Sequence, residues 1–141
     1  MTRDEIQAFF ADRQQAWKAH DADALAKGHA KDGTLSSPML GSLQGREQIL
    51  ASYRTLFRAF SDQTFVFEPL LVDGDRVAQP FTVTVIHTGD FMGLPGTGRR
   101  AQIQGVFFYD IADDLIAHEQ RLYDFTSLLI QIGALRAKPA R

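Results

Sequence analysis

The sequence predicts an α+β fold, a curved antiparallel sheet wrapped around N-terminal helices to form a cone with an apolar cavity. Apolar residues recur at helical spacing through the helices that open the chain, and from Thr64 onward the period changes from 3.6 to 2. Helices followed by a run of strands is the order of a domain whose helices cover one face of an antiparallel sheet. The chain has 141 residues, 45% hydrophobic and 23% charged, enough for one core and without a polar tract or internal repeat to set apart. Residues 1–135 are therefore read as a single domain and 136–141 as a basic tail.

The first helix is expected from Thr2 to His20. Thr2 followed three residues later by Glu5 is a capping-box start, and Ile6, Phe9, Phe10 and Trp17 keep an apolar stripe. Asp21 caps a short second helix that Gly28 ends, and a strand at Thr34–Ser37 is stopped by Pro38. A third helix spans Gly45–Phe60, with Ile49, Tyr53, Leu56, Phe57 and Phe60 on one face. Strands follow at Thr64–Val72 and Val77–Thr88, joined by the hairpin signal Asp73-Gly74-Asp75. A loop, Gly89–Gly98, leads to strands Arg100–Ile111 and Leu115–Tyr123. Asp124 then opens a last helix, Phe125–Ile132, which Gly133 closes.

Composition narrows the function. A net charge of −2, with no basic run longer than Arg99-Arg100, gives neither nucleic acid nor an anionic membrane the concentrated positive face that both need. No cysteine is present, which removes disulfides, thiol nucleophiles and Cys-ligated metals. His20, His29, His87 and His118 show no metal-ligand spacing, so no metal is expected. No stretch has the apolar length of a membrane span and the N-terminus is charged, so a cytoplasmic location is the default.

Few residues remain for chemistry. His87 shares a strand face with Phe81, Val83 and Val85, beside the glycine-rich loop, and reads equally as a cavity residue or as a core histidine bonded to a carbonyl. Asp124 precedes an apolar helical run and reads first as an N-cap. Glu119 and Arg121 share a strand face, where an ion pair explains them as well as catalysis does, and the mixed alternation suggests inward polar groups or a bulge. Trp17 and Tyr53 lie on core stripes with edges that could reach a cavity. Phe91, Met92 and Leu94 are apolar residues in the long loop, expected to fold over the cavity mouth.

Ala59-Phe60-Ser61-Asp62, Asp73-Gly74-Asp75-Arg76-Val77, the stretch from His87 to Arg99, Glu119-Gln120-Arg121-Leu122-Tyr123-Asp124 and Leu128 to Gly133 together resemble the SnoaL-like polyketide cyclase, or ester cyclase, family. That family belongs to the nuclear transport factor 2-like superfamily. The resemblance runs from about Trp17 to Gly133, with Ser61 where the pattern usually has Pro and Asp113-Asp114 in place of Asp-Gly. It implies a cofactor-free enzyme that closes a ring in a polyketide ester by intramolecular aldol condensation. It carries the acid/base role to Asp124 and, more weakly, a pocket role to His87. Desolvation in an apolar cone would raise a carboxylate toward the pKa such chemistry needs, and Arg121 would set the local field. The same fold class also admits an isomerase, an epoxide hydrolase or a non-catalytic small-molecule binder. A homodimer is expected, because Ile103, Phe107 and Tyr109 on one face and Phe108 on the other make the sheet apolar on both sides.

Overall fold

The computed structural model describes residues 1–136 and 138. Most of the basic tail lies outside the described residues. The N-terminal helix α1 (Arg3–Ala19) is opened by Thr2, whose hydroxyl accepts from the Glu5 N–H while the Glu5 carboxylate accepts from the Thr2 N–H. Its buried stripe is Ile6, Phe10, Arg13, Ala16 and Trp17. Asp21 caps α2 (Ala22–Lys27) by accepting from the Ala24 N–H. A hairpin of β1 (His29–Ser37) and β2 (Gly41–Gln44) follows, then α3 (Arg46–Ala59), which buries Ile49, Tyr53 and Phe57. The remaining elements are β3 (Asp62–Phe67), β4 (Leu71–Asp73), β5 (Arg76–Ile86), β6 (Arg100–Ala112), β7 (Leu115–Tyr123) and α4 (Phe125–Ile132).

These strands form one sheet in the order β2-β1-β7-β6-β5-β3, with β4 paired to the far part of β5. The helices and the inward-facing residues of the sheet share one core, so the α+β expectation holds. Three details differ from it. β1 starts at His29 and pairs with a strand, β2, whose four residues, Gly41, Ser42, Leu43 and Gln44, carry no strand pattern that would announce it. The stretch from Thr64 to Val72 is two strands, because Pro69 has no N–H to give the ladder. The sheet is mixed, since β1 runs parallel to β7. No helix among the described residues is long and apolar enough to cross a membrane.

Two irregularities aim side chains inward. The pairing of β6 with β7 shifts between Asp110 and Ile111, so that one residue of β7 is unpaired near Ala117. A bulge of this kind resets the alternation, and both Ile116 and Glu119 are fully buried although three positions apart. The second is Gly105, where a Cβ would stand 2.5 Å from the Leu122 carbonyl and 2.8 Å from the Phe81 ring. A side chain there would push Phe81 out of its stack with Phe107, whose ring centroid lies 4.4 Å away.

Candidate functional site

Within the curve of the sheet lies a cavity of about 60 Å³. Its walls come from β3, β5 and β6 through residues such as Phe65, Phe81, Val85 and Phe107, and from the helices through Trp17 and Leu128. Only Gln63, Arg121 and Tyr123 bring strongly polar groups to an otherwise apolar lining. Met39 and Leu56 border both this cavity and a second one of about 80 Å³ that Phe91 and Met92 also line. The two side chains are thus the partition between the cavities.

One end of the first cavity is charged. Arg121 is 5% exposed, and its guanidinium lies over the rings of Tyr53, Trp17 and Phe107 at 5.3 to 5.7 Å. Its Nε donates to Oε2 of the fully buried Glu119, while Nη2 has no hydrogen-bond partner. Behind this pair, Glu119 Oε1 stands 3.7 Å from Nη2 of Arg13 and 3.6 Å from Nε2 of His29. Arg13 donates to the Leu25 carbonyl at 2.8 Å and to the Tyr53 hydroxyl at 3.0 Å, and the His29 ring also bonds that hydroxyl at 3.0 Å.

The protonation states follow from burial and neighbours. Burial pushes Glu119 up, but Arg121, His29 and Arg13 outweigh it and hold the carboxyl below its ordinary value. Burial, reinforced by Arg13, Arg121 and Arg46, pushes His29 down to about 3 against the opposing pull of Glu119, so the imidazole is neutral at pH 7. Burial likewise raises Tyr53 and Tyr109, and both phenols stay protonated. Arg13 and Arg121 are pushed above an ordinary arginine; burial opposes this and their charged and phenolic neighbours override it.

The residues singled out from sequence separate into three places. Trp17 and Arg121 line the first cavity. Tyr53 lies behind it in the charged network rather than on the lining. Phe91 and Met92 line the second cavity, and Leu94 lines neither. His87 is fully buried among Phe60 and Phe91, with Nδ1 bonded to the Thr97 hydroxyl at 3.0 Å and Nε2 unpartnered, and it does not reach the first cavity. Asp124 is exposed and accepts from the Ser127 N–H at 2.9 Å as the cap of α4. It borders a shallow outer groove with Gln102, Gln104 and Ser127, and Ile103 is common to that groove and to the first cavity. The carboxylate thus stands one side chain away from the apolar space.

Sequence reasoning missed Arg13 and His29. Arg13 carried a readable signal: it interrupts the stripe Ile6, Phe10, Trp17 at a position that helical spacing buries. His29 carried none, because it follows Gly28 at a turn whose direction local pattern does not give. Among the described residues no three His, Asp or Glu side chains approach closely enough to hold a metal ion.

A family model described as SnoaL-like polyketide cyclase matches residues 9–132. Among solved structures, AclR from Streptomyces galilaeus superposes with a TM-score of 0.83 at 24% identity, over 98% of this chain and 87% of that one. TsrD from Streptomyces laurentii gives 0.82 at 24% identity over 96% and 99%, and IdmH from Streptomyces antibioticus 0.74 at 23% over 90% and 97%. At these identities the likeness concerns the fold. No curated protein matches the chain significantly.

Proposed function

Because the chain belongs to the SnoaL-like polyketide cyclase family, we propose that it closes a ring in an apolar polyketide-type ester by a cofactor-free intramolecular aldol reaction. The observation that carries this reading is Arg121 on the wall of an apolar cavity, with an Nη2 that has no hydrogen-bond partner among the described residues. A buried N–H donor fixed by Glu119 and three aromatic rings is preorganised for an oxygen that becomes negative during reaction. The apolar part of the substrate fills the cavity and displaces Met39, and its reacting carbons extend past Ile103 to the rim. There Asp124 removes the proton next to the carbonyl, Arg121 holds the enolate oxygen, and the enolate carbon attacks a second carbonyl of the same molecule. The resulting alkoxide takes the proton back from Asp124, so the acid and base balance without an added reagent.

A second reading follows from the exposure of Asp124. No carboxylate or imidazole lies on the cavity lining among the described residues, which suits a pocket that binds an apolar carbonyl compound without turning it over. Incubation with polyketide esters, ketosteroids and epoxides, followed by product analysis, separates the two. Cyclised product that falls by about 10²- to 10³-fold in Arg121→Met supports the cyclase. Saturable binding of the esters with no product from any compound establishes the binder.

A further inference from the structure

The charges inside the domain do not cancel. Among the described residues Arg13 and Arg121, each 5% exposed, face one ionised carboxylate, Glu119, and the His29 imidazole beside it is neutral. Arg46, which donates to the His29 carbonyl at 3.0 and 2.7 Å, adds a further positive charge at the edge of the group. Tyr53 and Tyr109 supply hydroxyls but no negative charge. An unbalanced buried cation is costly to keep, and each guanidinium meets it differently. Arg13 donates through Nη1 to Leu25 and through Nη2 to Tyr53, with Nε unpartnered. Arg121 keeps Nη2 free, and of the two it alone lines the cavity.

We propose that this cavity takes its ligand as an anion: an apolar, ring-sized compound with one ionised oxygen group seated on Arg121 Nη2. Carboxylates and the enolates of 1,3-dicarbonyl compounds share that chemistry. Ketones, amides and esters of equal shape that carry no ionised oxygen group leave the positive charge unbalanced and bind more weakly. The inference rests on the cavity being the ligand site, but not on any turnover there.

The test uses two matched pairs at pH 7.5: cyclohexanecarboxylate against cyclohexanecarboxamide, and 5,5-dimethylcyclohexane-1,3-dione, an enolate at that pH, against 3,3-dimethylcyclohexanone. Trp17 is the single tryptophan and stands in the cavity wall, so its fluorescence reports occupancy directly. The expected result is at least tenfold tighter binding of the anion in one or both pairs, and the pair with the larger ratio tells carboxylate from enolate. In Arg121→Met the ratio should fall below threefold. The wild-type comparison stands alone if that variant does not fold. A ratio below tenfold in both pairs overturns the inference and leaves the cavity as a neutral-ligand site. Failure of all four compounds to perturb Trp17 overturns both the inference and the site.

Discussion

At the scale of single residues, Asp124 and His29 make opposite demands on a test. Asp124 accepts the Ser127 N–H as the cap of α4, a role that Asn fills about as well and whose loss to Ala costs roughly 1 kcal/mol. Asp124→Asn should therefore melt near the wild type, while Asp124→Ala melts lower. If Asp124 is also the base, both lose cyclisation by about 10²- to 10⁴-fold. Wild-type turnover in the Asn variant would reduce Asp124 to a cap. His29 is tested by pH. Folding lowers its pKa to about 3, against roughly 6.5 in the unfolded chain. Between those values the unfolded chain binds the extra proton, so the stability it contributes is complete above pH 6.5 and is lost as pH falls toward 3. By pH 5 the loss is about 2 kcal/mol. Urea midpoints at pH 7.5 and 5.0 measure it, and His29→Gln should flatten the difference between them. An unchanged difference in that variant would assign the slope elsewhere.

At the scale of elements, the connection from β5 to β6 is an anchored structure rather than a free flap. The His87 N–H donates to the Arg99 carbonyl and the His87 carbonyl accepts from the Gly98 N–H, the Thr88 and Gly89 N–H groups donate to the Ala59 carbonyl, and Phe91 and Leu94 close a tight turn with Met92 and Gly93 at positive φ. A Cβ at Gly96 would meet the Thr88 carbonyl at 2.3 Å, whereas one at Gly93 (φ 83) would meet nothing within 4 Å. Gly93→Ala should thus cost about 1 kcal/mol through backbone strain alone, and Gly96→Ala about 2 kcal/mol or more, because backbone must move; thermal melts of the two variants rank them. Hydrogen exchange decides whether the tip still acts as a lid. Met92 and Gly93 should gain protection when a ligand fills the neighbouring cavity, and an unchanged rate leaves the loop as a fixed wall.

The helices and the last two strands were legible because caps, stripes and alternation are local. β2 and the parallel seat of β1 were not, since pairing partners far along the chain leave no mark on a short polar segment. The site shows the same division. Gln131 and Gly133, which carry much of the resemblance, hold α4 in place: the Gln131 amide accepts from the Gln102 N–H and donates to its carbonyl, and Gly133 closes the helix at φ 85. Arg13 and His29, which shape the electrostatics, reach Glu119 only through the tertiary fold.

At the scale of the whole molecule, the outer face of the sheet keeps Phe108 at 41% and Leu122 at 47% exposure. Apolar groups of that size on a sheet face favour a partner, and a second copy of this chain is the expected one. Sedimentation across micromolar concentrations should show a dimer that Phe108→Lys dissociates, and a monomer throughout would refute it. The parallel seat of β1 bears on how the chain is made. Thr34 meets His118 across 84 positions, and Glu119, the carboxylate beside Arg13 and His29, arrives on the same late strand. During synthesis the open edge of β1 must wait for it. Pairing at that separation in sequence forms slowly, and a ribosome stalled before β7 would display the bare β1 edge to whatever chaperone or protease is near.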